Sequence, residues 1–177
     1  MVNRRDISFE FALPRSNSAY LHDMVNVPKD DPRRKQASRL SAAAAVAWLQ
    51  GQGYPAEYLD AISHAIAAHS FSAAITPETI EAKIVQDADR LDALGAIGIA
   101  RCFVVNGQMG SSFYDADDFF AENRPLDDKR YAVDHFFVKL FKIVETMHTP
   151  TAKAESARRT AVMKGFLQDL KADSDAA

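Results

Sequence analysis

Three times along this chain a short polar residue stands directly before a proline: Asp31-Pro32, Thr76-Pro77 and Thr149-Pro150. A capping side chain followed by a residue with preset φ marks the start of an α-helix. Apolar residues at spacings of three and four confirm that reading in the segments that follow. Pro55 opens a further helix with Leu59, Ile62 and Ile66 on one stripe, ending near His69. An Ala-rich helix around Ala42 to Trp48 stops at Gly51-Gln52-Gly53. The helix after Thr76-Pro77 carries Ile80, Ile84, Ala88 and Leu91, and is expected to run past Gly95 and Gly98 to about Val105. Asn106-Gly107 then reads as a turn. Residues 107–127 read as a packed loop with a short helix. Asp128 to His148 reads as a strong helix with Val133, Phe137, Leu140, Phe141 and Val144 on one face. Thr149-Pro150 caps a last helix to about Leu170, before a frayed tail.

The expected fold is therefore all-α and forms one domain. Strand-like alternation is confined to Ile7–Phe11, so the most sheet expected is a short hairpin near residues 5–13. Residues 1–17 read as an atypical arm and 18–177 as the domain. A helix is expected from Ser18 to Met24, followed by a loop through Asn26 to Pro32.

A chain of 177 residues is long enough for a real core. Its net charge of −3 and pI near 5.9 argue against a broad basic surface for nucleic acid. The single cysteine, Cys102, lies in an apolar stretch and allows no internal disulfide. It reads as a small buried hydrophobe. No run approaches the roughly 18 apolar residues of a membrane helix. The first residues, MVNRRDISFEF, lack the apolar core of a signal peptide. A cytoplasmic location is the expectation, with no membrane partner.

Two features point to chemistry. The first is the adjacent pair His22-Asp23, at the end of the short helix holding Ala19, Tyr20 and Leu21. Such a pair can turn toward one ion, or the histidine can simply sit at a helix C-terminus, where the dipole favours it. The second is Gln86-Asp87-Ala88-Asp89-Arg90-Leu91-Asp92. Asp89 falls four residues after Val85, at the edge of the apolar stripe, where a carboxylate is costly unless paired or bound to metal. Asp92 shares that face. Asp87 lies about 200° away from Asp89, so those two cannot clamp one ion. Arg-paired, solvated acids are the alternative. His64 and His69 are five residues apart, about 140° around a helix, and cannot both face one ion. His64 reads as structural. His69 and Lys29 read either as substrate contacts or as ordinary side chains, and Lys139 as solvated.

Leu21-His22-Asp23, followed 66 residues after Asp23 by Ala88-Asp89-Arg90-Leu91, resembles the later part of the HD-superfamily pattern, His…His-Asp…Asp. The likeness extends to Tyr20–Asp30, His64–Ser72, Glu81–Gly98 and Arg124–Tyr131. Those segments resemble small bacterial HD-domain phosphohydrolases of the YedJ/YpgQ type, over about residues 18–170. The resemblance implies an all-helical HD-domain bundle and a divalent metal such as Mn²⁺ or Mg²⁺. It implies His22, Asp23 and Asp89 as metal ligands, and a small phosphorylated substrate, most naturally a nucleotide. Metal-assisted hydrolysis then gives Asp92 or His69 the task of orienting water or moving a proton, and Lys29 that of stabilising anionic oxygens.

The family pattern includes an earlier His, roughly 25 residues before the HD pair. Here only 21 residues precede His22 and none is a histidine. The ligand shell is therefore expected to be one donor short, with weak metal binding and slow turnover. The alternative is an HD-fold protein that binds a nucleotide or partner without turnover, and a homo-oligomer is compatible with either. HD enzymes that hydrolyse the stringent-response alarmone carry two acids shortly after the pair. Here those positions are Asn26 and Val27, which favours a nucleoside triphosphate or another phosphoester.

Overall fold

The structure, a computed structural model, describes residues 14–28 and 31–176. The hairpin considered near residues 5–13 lies outside them. The chain divides into two compact units, Met1–Gln86 and Asp87–Ala177. The described residues of both are helical and irregular, with a single isolated bridge, between Ser112 and Tyr131. The fold is all-α.

In the first unit, α1 spans Pro14–Leu21, α2 Ala37–Gly51 and α3 Leu59–His69. Helix α1 starts earlier than its sequence pattern suggests, so the arm boundary expected at residue 17 falls inside a helix whose Asn17 and Ser18 are buried. Between α1 and α2, Asp31 caps a 3-10 turn over Pro32–Gln36 by accepting from the Arg33 amide at 2.8 Å. The Arg33 guanidinium beside it holds the Asp31 carboxyl down at about 2. Ala42, Ala45 and Leu49 of α2 pack against Leu59, Ile62 and Ile66 of α3. These positions recur at three, four and seven, which places them on one stripe of each helix.

Helix α4, Ile80–Asp92, runs across the division between the units. Its start corrects the sequence expectation. Thr76-Pro77 lies in an irregular segment before the helix, and the cap is Thr79, whose hydroxyl accepts from the Ala82 amide at 3.2 Å. In the first unit Ala82 and Val85 pack on Ala65 of α3.

The second unit holds α5 (Gly95–Gln108), α6 (Ala132–His135), α7 (Phe141–Ile143) and α8 (Pro150–Asp175). The single helix expected across Gly95 is two helices. The chain turns at Ala93-Leu94 and Gly95 takes φ +73°, a left-handed conformation that glycine adopts without strain. Gly98 is required for space: a Cβ there would lie 2.2 Å from the Ala93 carbonyl oxygen. Asn106-Gly107 is helical rather than a turn, with Asn106 buried and its amide donating to the Cys102 carbonyl. No short helix forms in residues 109–131.

That loop is held by a buried ion pair. Asp134, fully buried, accepts from both terminal nitrogens of Arg124 (2.6 and 2.9 Å) and from the Asp127 amide (2.6 Å). The Arg124 guanidinium also lies 4.5 Å from the Tyr131 ring centroid. The helix expected from Asp128 begins at Ala132 and is interrupted by a π-helical stretch, Phe136–Leu140. Helix α8 continues to Asp175, five residues past the expected end. Its Thr149 cap accepts from the Ala152 amide, and Asp87 accepts from the His148 amide, the Thr149 amide and the Thr149 hydroxyl. Cys102 is buried, as its apolar setting suggests, and burial pushes its thiol up to about 11.

Candidate metal centre

Two helix ends in the first unit converge on one carboxylate. Helix α1 stops at Leu21 and leaves His22 and Asp23 in the turn beyond it. Helix α3 ends on His69, which falls on the same stripe as Leu59, Ile62 and Ile66 and is 5% exposed. The His22 Nε2 lies 3.6 Å from Asp23 Oδ2, and the His69 Nε2 lies 3.6 Å from Asp23 Oδ1. The two imidazoles meet edge to face, with centroids 4.8 Å apart. One ligand atom from each of the three residues lies within 4.8 Å of the others.

The tautomers are fixed by the backbone. His22 Nδ1 sits 2.7 Å from the Ala19 carbonyl, and His69 Nδ1 sits 2.6 Å from the Ile66 carbonyl. A carbonyl only accepts, so each Nδ1 carries a proton, and it is the neutral ring that has its lone pair on Nε2. An Nδ1–H anchored on a backbone carbonyl is the usual second contact of a metal-binding histidine. Two imidazole nitrogens and a carboxylate suit a borderline or hard divalent cation. The donor set fits such an ion.

Neighbouring side chains hold the frame. Ser41, fully buried on α2, accepts from the Val25 amide at 3.1 Å, two residues after Asp23. Arg34 donates to the Val27 carbonyl at 2.5 Å. Gln86, 2% exposed, donates to the Ala68 carbonyl at 2.6 Å and so ties α4 to the residue before His69. Ser41 is not singled out by the sequence reading, and Gln86 appears there only as the first residue of the Gln86–Asp92 motif, with no role given to it. The Gln86 signal was its place beside Val85 on the buried side of a strongly amphipathic helix.

Of the three expected ligands, His22 and Asp23 are in this group, and His69 joins them. His69 is expected from sequence to contact substrate or water; one of its ring nitrogens lies within 4.8 Å of the ligand atoms of His22 and Asp23, where it could serve as a third donor. Asp89 belongs to the second unit, half-buried on α4 next to Arg90. Burial lowers the Arg90 guanidinium from its ordinary value, opposed by the charges of Asp87 and Asp89. Asp92, considered as a proton carrier, has a different partner: its carboxylate pairs with Arg101 of α5, and both side chains are 60% exposed. Lys29 lies outside the described residues. His64 is structural, its Nε2 accepting from the Glu78 amide at 3.0 Å. Lys139 is exposed, as a solvated residue should be.

The HD domain family profile matches residues 17–94, which contain His22, Asp23, His69 and Asp89. YpgQ of Bacillus subtilis (strain 168) is 35% identical over 160 residues, spanning 88% of this chain and 70% of that protein. The crystal structure of Bacillus subtilis YpgQ in complex with ADP superposes with a TM-score of 0.68 at 33% identity, covering 90% of this chain and 73% of that one. An HD-superfamily hydrolase from Bacillus thuringiensis superposes at 0.70 with 30% identity, covering 93% and 74%. Among the described residues no helix is long and apolar enough to cross a membrane. The paired helix ends that present His22, Asp23 and His69, with these likenesses over most of its length, place this chain in the HD-domain family.

Proposed function

We propose that this chain is a divalent-metal-dependent phosphohydrolase acting on nucleotides. The observation that carries the reading is the pair of backbone-anchored imidazoles whose Nε2 atoms both face the Asp23 carboxylate. His22 and His69 offer lone pairs in a fixed direction, and Asp23 contributes negative charge. Asp23 is 76% exposed, so the site opens to solvent and to a ligand. A divalent ion bound there supplies activation of water and neutralises phosphoryl charge. Asp89 stays in the proposal as a further ligand on its sequence motif, and Lys29 as a contact for anionic oxygens. The ADP bound by the relative YpgQ supports a nucleotide as the ligand class.

The test combines Mn²⁺ calorimetry with phosphate release from a panel of nucleoside mono-, di- and triphosphates. His22→Ala, Asp23→Asn and His69→Ala should each weaken metal binding by at least about 10–100-fold, the cost of losing even an outer partner. His64→Ala should leave it within a few-fold. Asp89→Asn tests the ligand taken from the motif. Metal binding without hydrolysis of any nucleotide would favour a binding protein without turnover. Unchanged Mn²⁺ affinity in His69→Ala would remove His69 from the donor set.

A further inference from the structure

The second unit contains a groove of about 720 Å³ for which the hydrolase reading has no use. That volume lies within the range of small-molecule sites, which are mostly apolar with a few polar groups. Its wall is aromatic. Phe120, Phe137 and Phe141 form a continuous edge-to-face series, with centroid spacings of 6.1 Å and 5.4 Å. Val144 and Leu167 complete the apolar lining. Phe137 sits in the π-helical stretch Phe136–Leu140 and Phe141 follows it directly. Such departures from α-helical geometry are frequent at functional sites.

The charged residues at the groove are Glu122, Glu145 and Lys164, a net of −1. Aromatic faces attract cations through their quadrupole, and the carboxylates add to that preference. The protein already shows the preference internally: the Lys164 ammonium lies 5.8 Å from the Phe141 ring centroid.

We propose that this groove binds a small organic ammonium ion carrying an aryl or alkyl group, with the apolar part on the Phe120–Phe137–Phe141 wall and the ammonium toward Glu122 and Glu145. Lys164 competes with it for the same ring face. An anion would meet two carboxylates and one ammonium, so shape alone would not admit it.

The experiment uses two probes of like shape and opposite charge, phenethylamine and 3-phenylpropionate, titrated into the full chain and followed by ligand-observed NMR. The amine should bind and the carboxylate should bind at least several-fold more weakly. Lys164→Ala removes the internal competitor and should tighten amine binding about 2–5-fold, the scale of one exposed charge interaction. Glu145→Gln should weaken it by a similar factor. Circular dichroism of each variant, matched to the parent, shows that the fold is intact. Phe137→Leu keeps an apolar wall but removes one ring, and should weaken the amine more than it changes thermal stability. Tighter binding of the carboxylate, loss of amine binding in Lys164→Ala, or no binding of either probe would each overturn the proposal.

Discussion

Replacing Asp134 by alanine tests whether the loop before α6 is held by one buried ion pair. Asp134 has no exposed surface and accepts three hydrogen bonds, two from the Arg124 guanidinium and one from the Asp127 amide. The variant leaves a guanidinium, 18% exposed, with the Asp115 carboxylate 3.6 Å from its Nε and the Asp118 and Pro125 carbonyls as its remaining partners. Removing one partner of a buried pair costs about 3–5 kcal/mol, and the residual exposure of Arg124 argues for the lower end, about 3 kcal/mol. For a chain of this size each kcal/mol moves the melting temperature by roughly 2–4 °C, so a loss of about 6–12 °C is expected. The assay is calorimetry at neutral pH. Removing both charges should recover much of the loss, because an apolar pair of similar volume is often neutral or better. The Arg124→Met, Asp134→Leu double variant should therefore melt well above Asp134→Ala. A drop below about 2 °C in Asp134→Ala, or a double variant no better than the single one, would refute the reasoning.

Three further outcomes follow from the same structure. Thr79→Ala should cost about 1 kcal/mol in urea unfolding through loss of the α4 cap, whereas Thr76→Ala should cost close to nothing; equal losses would put the cap in the wrong place. Gly98→Ala forces a Cβ against the Ala93 carbonyl and should destabilise by about 1–3 kcal/mol by the same assay, the scale of overpacking; a neutral result would mean the α4–α5 turn yields freely. The Cys102 thiol, held by burial at about 11 against an ordinary value of 9.0, binds its proton more tightly when folded. Its contribution is therefore intact below about pH 9 and falls as pH rises from about 9 to about 11. Urea unfolding at pH 8 and pH 10.5 should show a smaller decline for Cys102→Ala than for the parent, and thiol reagents should react fast only after unfolding; rapid native reaction at pH 8 would contradict the burial.

The helical class, the α3 stripe of Leu59, Ile62 and Ile66 and the His22-Asp23 pair were legible in the chain itself; the α4 stripe was not, since Ile80 and Ala88 are exposed while Ala82 and Val85 are buried. Apolar residues at three and four can face one core only on a helix, so Ala42–Leu49 and Leu59–Ile66 had little choice. Helix ends were less legible. Thr76-Pro77 and Thr79 are both reasonable caps locally, and the irregular path of residues 75–78, which delays the helix to Ile80, selects Thr79. The division between α4 and α5 depends on how closely Gly98 approaches Ala93, which no local pattern encodes. The role of His69 was readable in part: it continues the stripe of Leu59, Ile62 and Ile66, and a histidine on a buried stripe needs a partner. That the partner is Asp23, 46 residues earlier, depends on α1 packing on α3. The Arg124–Tyr131 segment, which carries part of the family likeness in sequence, is a lock built on Asp134, because a buried carboxylate must find its charge and hydrogen bonds wherever the fold supplies them. Periodicity fixes which face of a helix is buried; only the packed chain decides which buried polar groups meet.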